Sequence, residues 1–143
     1  MKFIFFRTLV VLSASLWLSA CASYDTQSVR GRSLDNTKHF FVVSNLNDNH
    51  SIDAQIVVAL KARGRTAETG PLTMMPDETQ AIITFQDHWA WDFGDHLNYL
   101  QLSAHDKHSE QAFRTVTFNA KIPLHEETPV TVARLVDQLL GTK

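Results

Sequence analysis

Several residue types are scarce in this 143-residue chain, and each scarcity excludes a class of function. A single cysteine rules out an intramolecular disulfide framework and any multi-cysteine zinc site. The five glycines stand apart at 31, 64, 70, 94 and 141, so there is no glycine-rich phosphate loop, and no Gly-x-Ser-x-Gly turn is present to carry a nucleophile. Basic residues are in slight deficit, 13 Lys and Arg against 15 Asp and Glu. Lys2 and Arg7 belong to an N-terminal segment without acidic residues, which leaves 11 basic against 15 acidic groups in the rest. That balance lacks the electrostatic footprint of a nucleic-acid binder, so no nucleic-acid partner is expected. No apolar run after residue 20 approaches the length of a membrane-spanning helix. The acidic pairs Asp77-Glu78 and Glu126-Glu127 precede expected secondary structure, where acidic side chains suit helix starts, and they are read as solvated rather than catalytic.

What is present is concentrated at the N-terminus. Lys2 and Arg7 form a short positive region, Leu9–Leu18 is apolar, and Leu18-Ser19-Ala20-Cys21 follows. An apolar core this short is an export signal rather than a stable span. Its end resembles the lipobox of bacterial lipoproteins. The resemblance implies acylation of the Cys21 thiol, cleavage between Ala20 and Cys21, and acylation of the new amino group. Covalent lipid on Cys21 is then the only attached group expected, with no other cofactor. Several acyl chains give stable anchoring where one gives marginal binding. Ala22 and Ser23 follow Cys21; the family's inner-membrane retention signal, an Asp at the first of these positions, is absent. The resemblance therefore implies an outer-membrane protein whose domain faces the periplasm. The other reading is an ordinary secretory cut that leaves Cys21 a free thiol.

Three regions are expected: signal peptide 1–20, acylated cysteine and flexible tether 21–38, and one α/β domain 39–143. Residues 22–38 have few sizeable apolar side chains, and as a tether they reach about 55–60 Å. Arg30-Gly31-Arg32 would lie near anionic headgroups. His39–Ser44 reads as a buried strand, and Asn45–His50, rich in Asn and Asp, as a turn. In 51–63, Ile52, Ile56, Ala59 and Leu60 follow helical spacing, with Val57 widening the stripe and Gly64 at the stop. A short strand is expected over 65–69, and Met74-Met75 is read as a lid on the core. Strands follow over 80–86, 97–104 and 111–119, the last two a hairpin turning at 106–109. Thr128-Pro129 opens a final helix, with Thr128 as N-cap and Val132, Val136, Leu139 and Leu140 as its stripe. The order β-α-β, meander, α predicts a two-layer α/β sandwich: a mixed sheet of about five strands with two helices on one face.

The most distinctive stretch is Asp87-His88-Trp89-Ala90-Trp91-Asp92-Phe93, followed by Tyr99. Trp89 and Trp91 share one face if the strand continues to Trp91. Trp89, Trp91, Asp92, Phe93 and Tyr99 are the candidate interaction surface, since Trp and Tyr dominate interface hot spots and stack on sugar rings. The alternative, given more weight, is a packed hairpin end that covers the core edge. The stretch resembles families of small uncharacterised lipoproteins of the Gram-negative outer membrane, in which a strand ends in Asp, then Trp-x-Trp-Asp, then a strand opening near Tyr-Leu, here Tyr99-Leu100. This implies a periplasm-facing α/β domain and no enzymatic activity. The expected fold also looks like that of periplasmic lipoproteins that activate peptidoglycan synthases or assist secretion and polysaccharide export.

Seven histidines raise metal chemistry. His105 and His108 are three apart, and His88 and His96 flank the aromatic turn near Asp87, Asp92 and Asp95. Zinc needs three or four convergent ligands, so these four histidines are weak metal candidates, and a solvated turn is the blander reading. His39, His50 and His125 are read as isolated surface residues. The expectation is a non-enzymatic envelope lipoprotein that serves a partner protein or peptidoglycan. The alternative is a metal-dependent periplasmic enzyme using the His/Asp cluster within 87–108.

Overall fold

The computed structural model describes residues 22–91, 94–121 and 126–142. The signal segment, Cys21, Asp92, Phe93 and His125 lie outside the described residues. Among these residues six strands and two α-helices follow in the order β1 Ala22–Ser28, β2 His39–Val43, α1 Ile52–Lys61, β3 Thr66–Gly70, β4 Ala81–Ala90, β5 His96–Asp106, β6 Ala112–Ala120 and α2 Thr128–Leu140, with one 3₁₀ turn at Leu72–Met74. The strands form one mixed sheet in the order β1-β6-β5-β4-β2-β3. β2 runs parallel to both β3 and β4, and every other pairing is antiparallel. The α/β sandwich expected from the sequence is the fold found, with six strands rather than about five.

The additional strand lies in the segment expected to be a tether. Residues 22–28 pair with β6 along their whole length, from Ala22 opposite Ala120 to Ser28 opposite Arg114. The Val29 N–H extends the contact to the Phe113 carbonyl at 2.8 Å. Tyr24 and Ala22 pack against the core, and Leu34, also in the expected tether, is 1% exposed. The tether is thus replaced by an edge strand and an anchored loop. A strand at the sheet edge has little apolar surface to bury, so its sequence ASYDTQS shows no hydrophobic period. Its backbone groups are satisfied by the open edge of β6 instead.

Both helices cover one face. Among the described residues α1 packs on β2 and β3, α2 on β5 and β6, and the helices on each other. The α1 stripe Ile52, Ile56, Val57, Ala59 and Leu60 is buried as its spacing predicts. Gly64 at φ 71° ends the helix. Its N–H reaches the Lys61 carbonyl and the Arg65 N–H reaches that of Leu60, the Schellman arrangement that a left-handed glycine permits. In α2, Thr131 and Leu135 join the expected stripe, and Glu127 rather than Thr128 is the N-cap. These side chains meet Phe40, Val42, Ile83, Phe85, Leu100, Leu102, Val116 and Phe118 in one core. Alternation sends Thr84, His105, Ser103 and Thr115 to the other face, where Thr84 Oγ1 meets His105 Nε2 at 2.9 Å and Ser103 meets Thr115 at 3.1 Å. Met74, expected to help close a lid, is instead exposed, and Met75 is half-buried.

Candidate functional site

The aromatic segment occupies the end of the sheet where β4 passes into β5. β4 does not stop at Gln86, as the polar residues Asp87 and His88 suggest. Its antiparallel partner carries it on to Ala90, with a register shift between His88 and Trp89. His88 lies opposite Tyr99 and their rings make a tilted contact at 5.2 Å. Trp89 turns toward the helical layer and packs against the core. Trp91 lies past the strand and is 85% exposed. The two tryptophans do not form one shared face: the strand ends between them at Ala90, Trp89 is a packing residue and Trp91 is exposed. Asp92 and Phe93 lie outside the described residues.

Trp89 is held from two directions. Its indole N–H donates to Asp87 Oδ2 at 2.7 Å. Its ring is stacked by the His50 imidazole, with 3.5 Å between centroids and 12° between planes. His50 is thus not the isolated surface residue the sequence suggests. Its side chain is 28% exposed, with Nε2 2.9 Å from Asp95 Oδ2. The loop that delivers His50 is closed by its own side chains. Asp48 Oδ1 accepts the His50 N–H at 2.9 Å, and Asp48 Oδ2 accepts the Asp53 N–H at 3.2 Å. The Gln55 amide donates to the His50 carbonyl at 3.0 Å. Ser51 completes the turn at φ 55°, the left-handed region that a non-glycine residue adopts only under tertiary constraint.

The four histidines singled out by sequence do not gather. His88 is on β4 beside Tyr99. The His96 Nδ1 contacts the Gly94 carbonyl at 2.9 Å. His105 is engaged by Thr84 and, through Nδ1, by the Glu110 carbonyl at 3.0 Å. His108 lies in the β5–β6 turn. Among the described residues the donor atoms that do converge are those of Asp48, His50 and Asp87, all within 4.8 Å of one another. Asp48 and His50 lie almost forty positions before Asp87. Because β2 and β4 are parallel, the loop leaving β2 and the far end of β4 share one end of the sheet. The sequence signal was the Asn- and Asp-rich turn at 45–50; its partner strand was not readable.

A second polar cluster fastens β1. Arg134 Nη1 donates to Tyr24 Oη at 2.9 Å and Arg134 Nη2 to Glu126 Oε1 at 2.7 Å. Burial raises the Tyr24 pKa above its ordinary value, against the opposing pull of the Arg134 charge. Arg63 joins the helices, donating to the carbonyls of Ala59 and Ala133 and pairing with Asp137. The hydrogen bond from Arg63 holds the Asp137 carboxyl below the usual range.

No family model and no curated protein matches this chain. Solved PelC structures share its fold. A PelC dodecamer from Paraburkholderia phytofirmans, crystallised as a single-substitution variant, superposes with TM-score 0.62 at 14% identity, covering 85% of this chain and 97% of that one. The PelC dodecamer from the same organism in a second crystal form gives 0.60 at 12% identity, covering 85% and 96%. A minor lipoprotein from Acinetobacter baumannii gives 0.35 at 10% identity, covering 73% and 88%. At these identities the PelC likeness is one of fold.

Proposed function

We propose that this chain is a lipid-anchored, non-enzymatic accessory protein of the bacterial outer membrane, with its domain facing the periplasm and docking on an envelope protein or peptidoglycan. The observation that carries this reading is the position of the lipobox: Leu18-Ser19-Ala20-Cys21 ends one residue before β1 begins at Ala22. An acylated Cys21 would then hold the sheet edge directly at the bilayer, without the slack of a tether. Trp91, 85% exposed, is the candidate contact residue, since Trp is enriched at interface hot spots.

Metabolic labelling with an alkyne fatty acid tests the anchor. The wild-type chain should incorporate label and sediment with outer membranes, and Cys21→Ser should do neither. Equal labelling of both would remove the anchor. Co-sedimentation with purified peptidoglycan, and crosslinking in cells, should weaken in Trp91→Ala if that residue makes the contact.

Self-assembly is a second reading. Two observations favour it: β1 and β3 leave open edges at the two ends of the sheet, and the PelC structures of this fold are dodecamers. Light scattering on the full chain in detergent should give a defined multiple of the protomer mass; a strict monomer at all concentrations would exclude it.

A further inference from the structure

We propose that Asp48, His50 and Asp87 form a site for one divalent transition-metal ion of the zinc class, fastening the loop after β2 to the end of β4. The donor set is one imidazole nitrogen and two carboxylates, with all three donor atoms within 4.8 Å of one another. Zinc binds such N and O ligands at about 2.0–2.2 Å, so small side-chain rotations bring the donors to bonding distance. Nitrogen with carboxylate oxygen suits zinc, cobalt and nickel better than calcium or magnesium, which prefer all-oxygen sites.

Each donor is positioned by a group outside the trio. The His50 ring is clamped flat against Trp89. Its Nε2 contacts the Asp95 carboxylate. With Nε2–H donated there, the lone pair is on Nδ1, which matches the way a second carboxylate orients a metal-bound histidine. Asp48 is fixed by the backbone N–H groups of His50 and Asp53, and Asp87 by the Trp89 indole. Each carboxylate keeps lone-pair capacity beyond these bonds.

Charge gives a separate argument. Four acidic side chains elsewhere, Asp77, Asp106, Glu126 and Asp137, pair with Lys107, Arg32, Arg134 and Arg63. Around His50, three acidic side chains, Asp48, Asp87 and Asp95, surround one imidazole, and among the described residues no Lys or Arg pairs with them. A bound dication offsets two of those three negative charges. Its three protein ligands leave a further position open to water.

The test uses the full-length chain in detergent, purified through a tag without histidine and stripped with chelator. Titration with Co²⁺ should produce visible d–d bands at one equivalent per chain, quench Trp fluorescence, and be displaced by Zn²⁺. Zn²⁺ should also raise Tm as its concentration increases, as binding to the native state requires. His50→Ala and, as a milder change that keeps the bond to Trp89, Asp87→Asn should lose the bands and the Tm shift. Asp95→Asn should weaken affinity by roughly 10–100-fold. His88→Ala and His105→Ala should bind as wild type. The proposal is overturned if the wild type binds no metal in these assays, or if binding persists unchanged in both His50→Ala and Asp87→Asn.

Discussion

His50 lies flat on Trp89, 3.5 Å between ring centroids and 12° from parallel, although 39 positions of sequence separate them. This contact assigns opposite roles to the two tryptophans. Trp89 is bonded through its indole nitrogen and packed on the core, so its truncation removes buried area and leaves a cavity. Trp89→Ala should cost about 3 kcal/mol. Trp91→Ala, at an exposed side chain, should stay within about 0.5 kcal/mol. Urea denaturation of both variants checks the pair; similar losses would mean that Trp91 is also a core residue.

The parts of the fold that were legible in the sequence are those whose burial is periodic. The α1 and α2 stripes and the alternation Leu100, Leu102, Ala104 are set by contacts that repeat along one element. β1 was not legible, because a polar edge strand is held by backbone pairing to β6 and by Tyr24 against Phe118. The end of β4 is not legible either: the apolar run stops at Gln86, and it is the ladder with β5 that carries the strand on to Ala90. His50 and Asp48 required knowledge that β2 and β4 are parallel neighbours. What local chemistry did indicate correctly was that the Asn- and Asp-rich segment 45–50 is a turn.

Hydrogen exchange distinguishes a strand from a tether at β1. Amides of 22–28 that point to β6 should be protected well above the unfolded rate, while those of Ser33 and Asp35 should exchange quickly. Uniformly fast exchange across 22–28 would restore the tether. Replacing Thr26 with Pro should release the strand, since proline removes a backbone donor and fits poorly into a ladder.

Tyr24 gives β1 an alkaline limit. Its folded pKa is raised, first by burial, so the folded state favours the neutral phenol. The stability this contributes is fully present below the unfolded pKa, about 10, and is lost as pH rises through the folded value. Loss of β1 protection at high pH should therefore follow phenolate absorbance near 295 nm, and Tyr24→Phe should flatten that dependence.

At acid pH the sign reverses at the helix–helix contact. Asp137 has a folded pKa lowered chiefly by the hydrogen bond from Arg63. Its contribution is present above the unfolded aspartate pKa, about 3.9, and is lost as pH falls through the depressed folded value. Both side chains retain solvent contact, so screening limits the effect to about 1 kcal/mol. Arg63 also satisfies the Ala59 and Ala133 carbonyls, and these bonds survive protonation of Asp137. Asp137→Asn should therefore lower stability at pH 7 by that modest amount and converge with wild type in acid, below the depressed folded value. Arg63→Ala should remain less stable at both pH values, because it loses the carbonyl bonds as well. Equal acid slopes for Asp137→Asn and wild type in thermal melts would show that the ion pair adds nothing and that Arg63 acts on α1 and α2 through its backbone bonds alone.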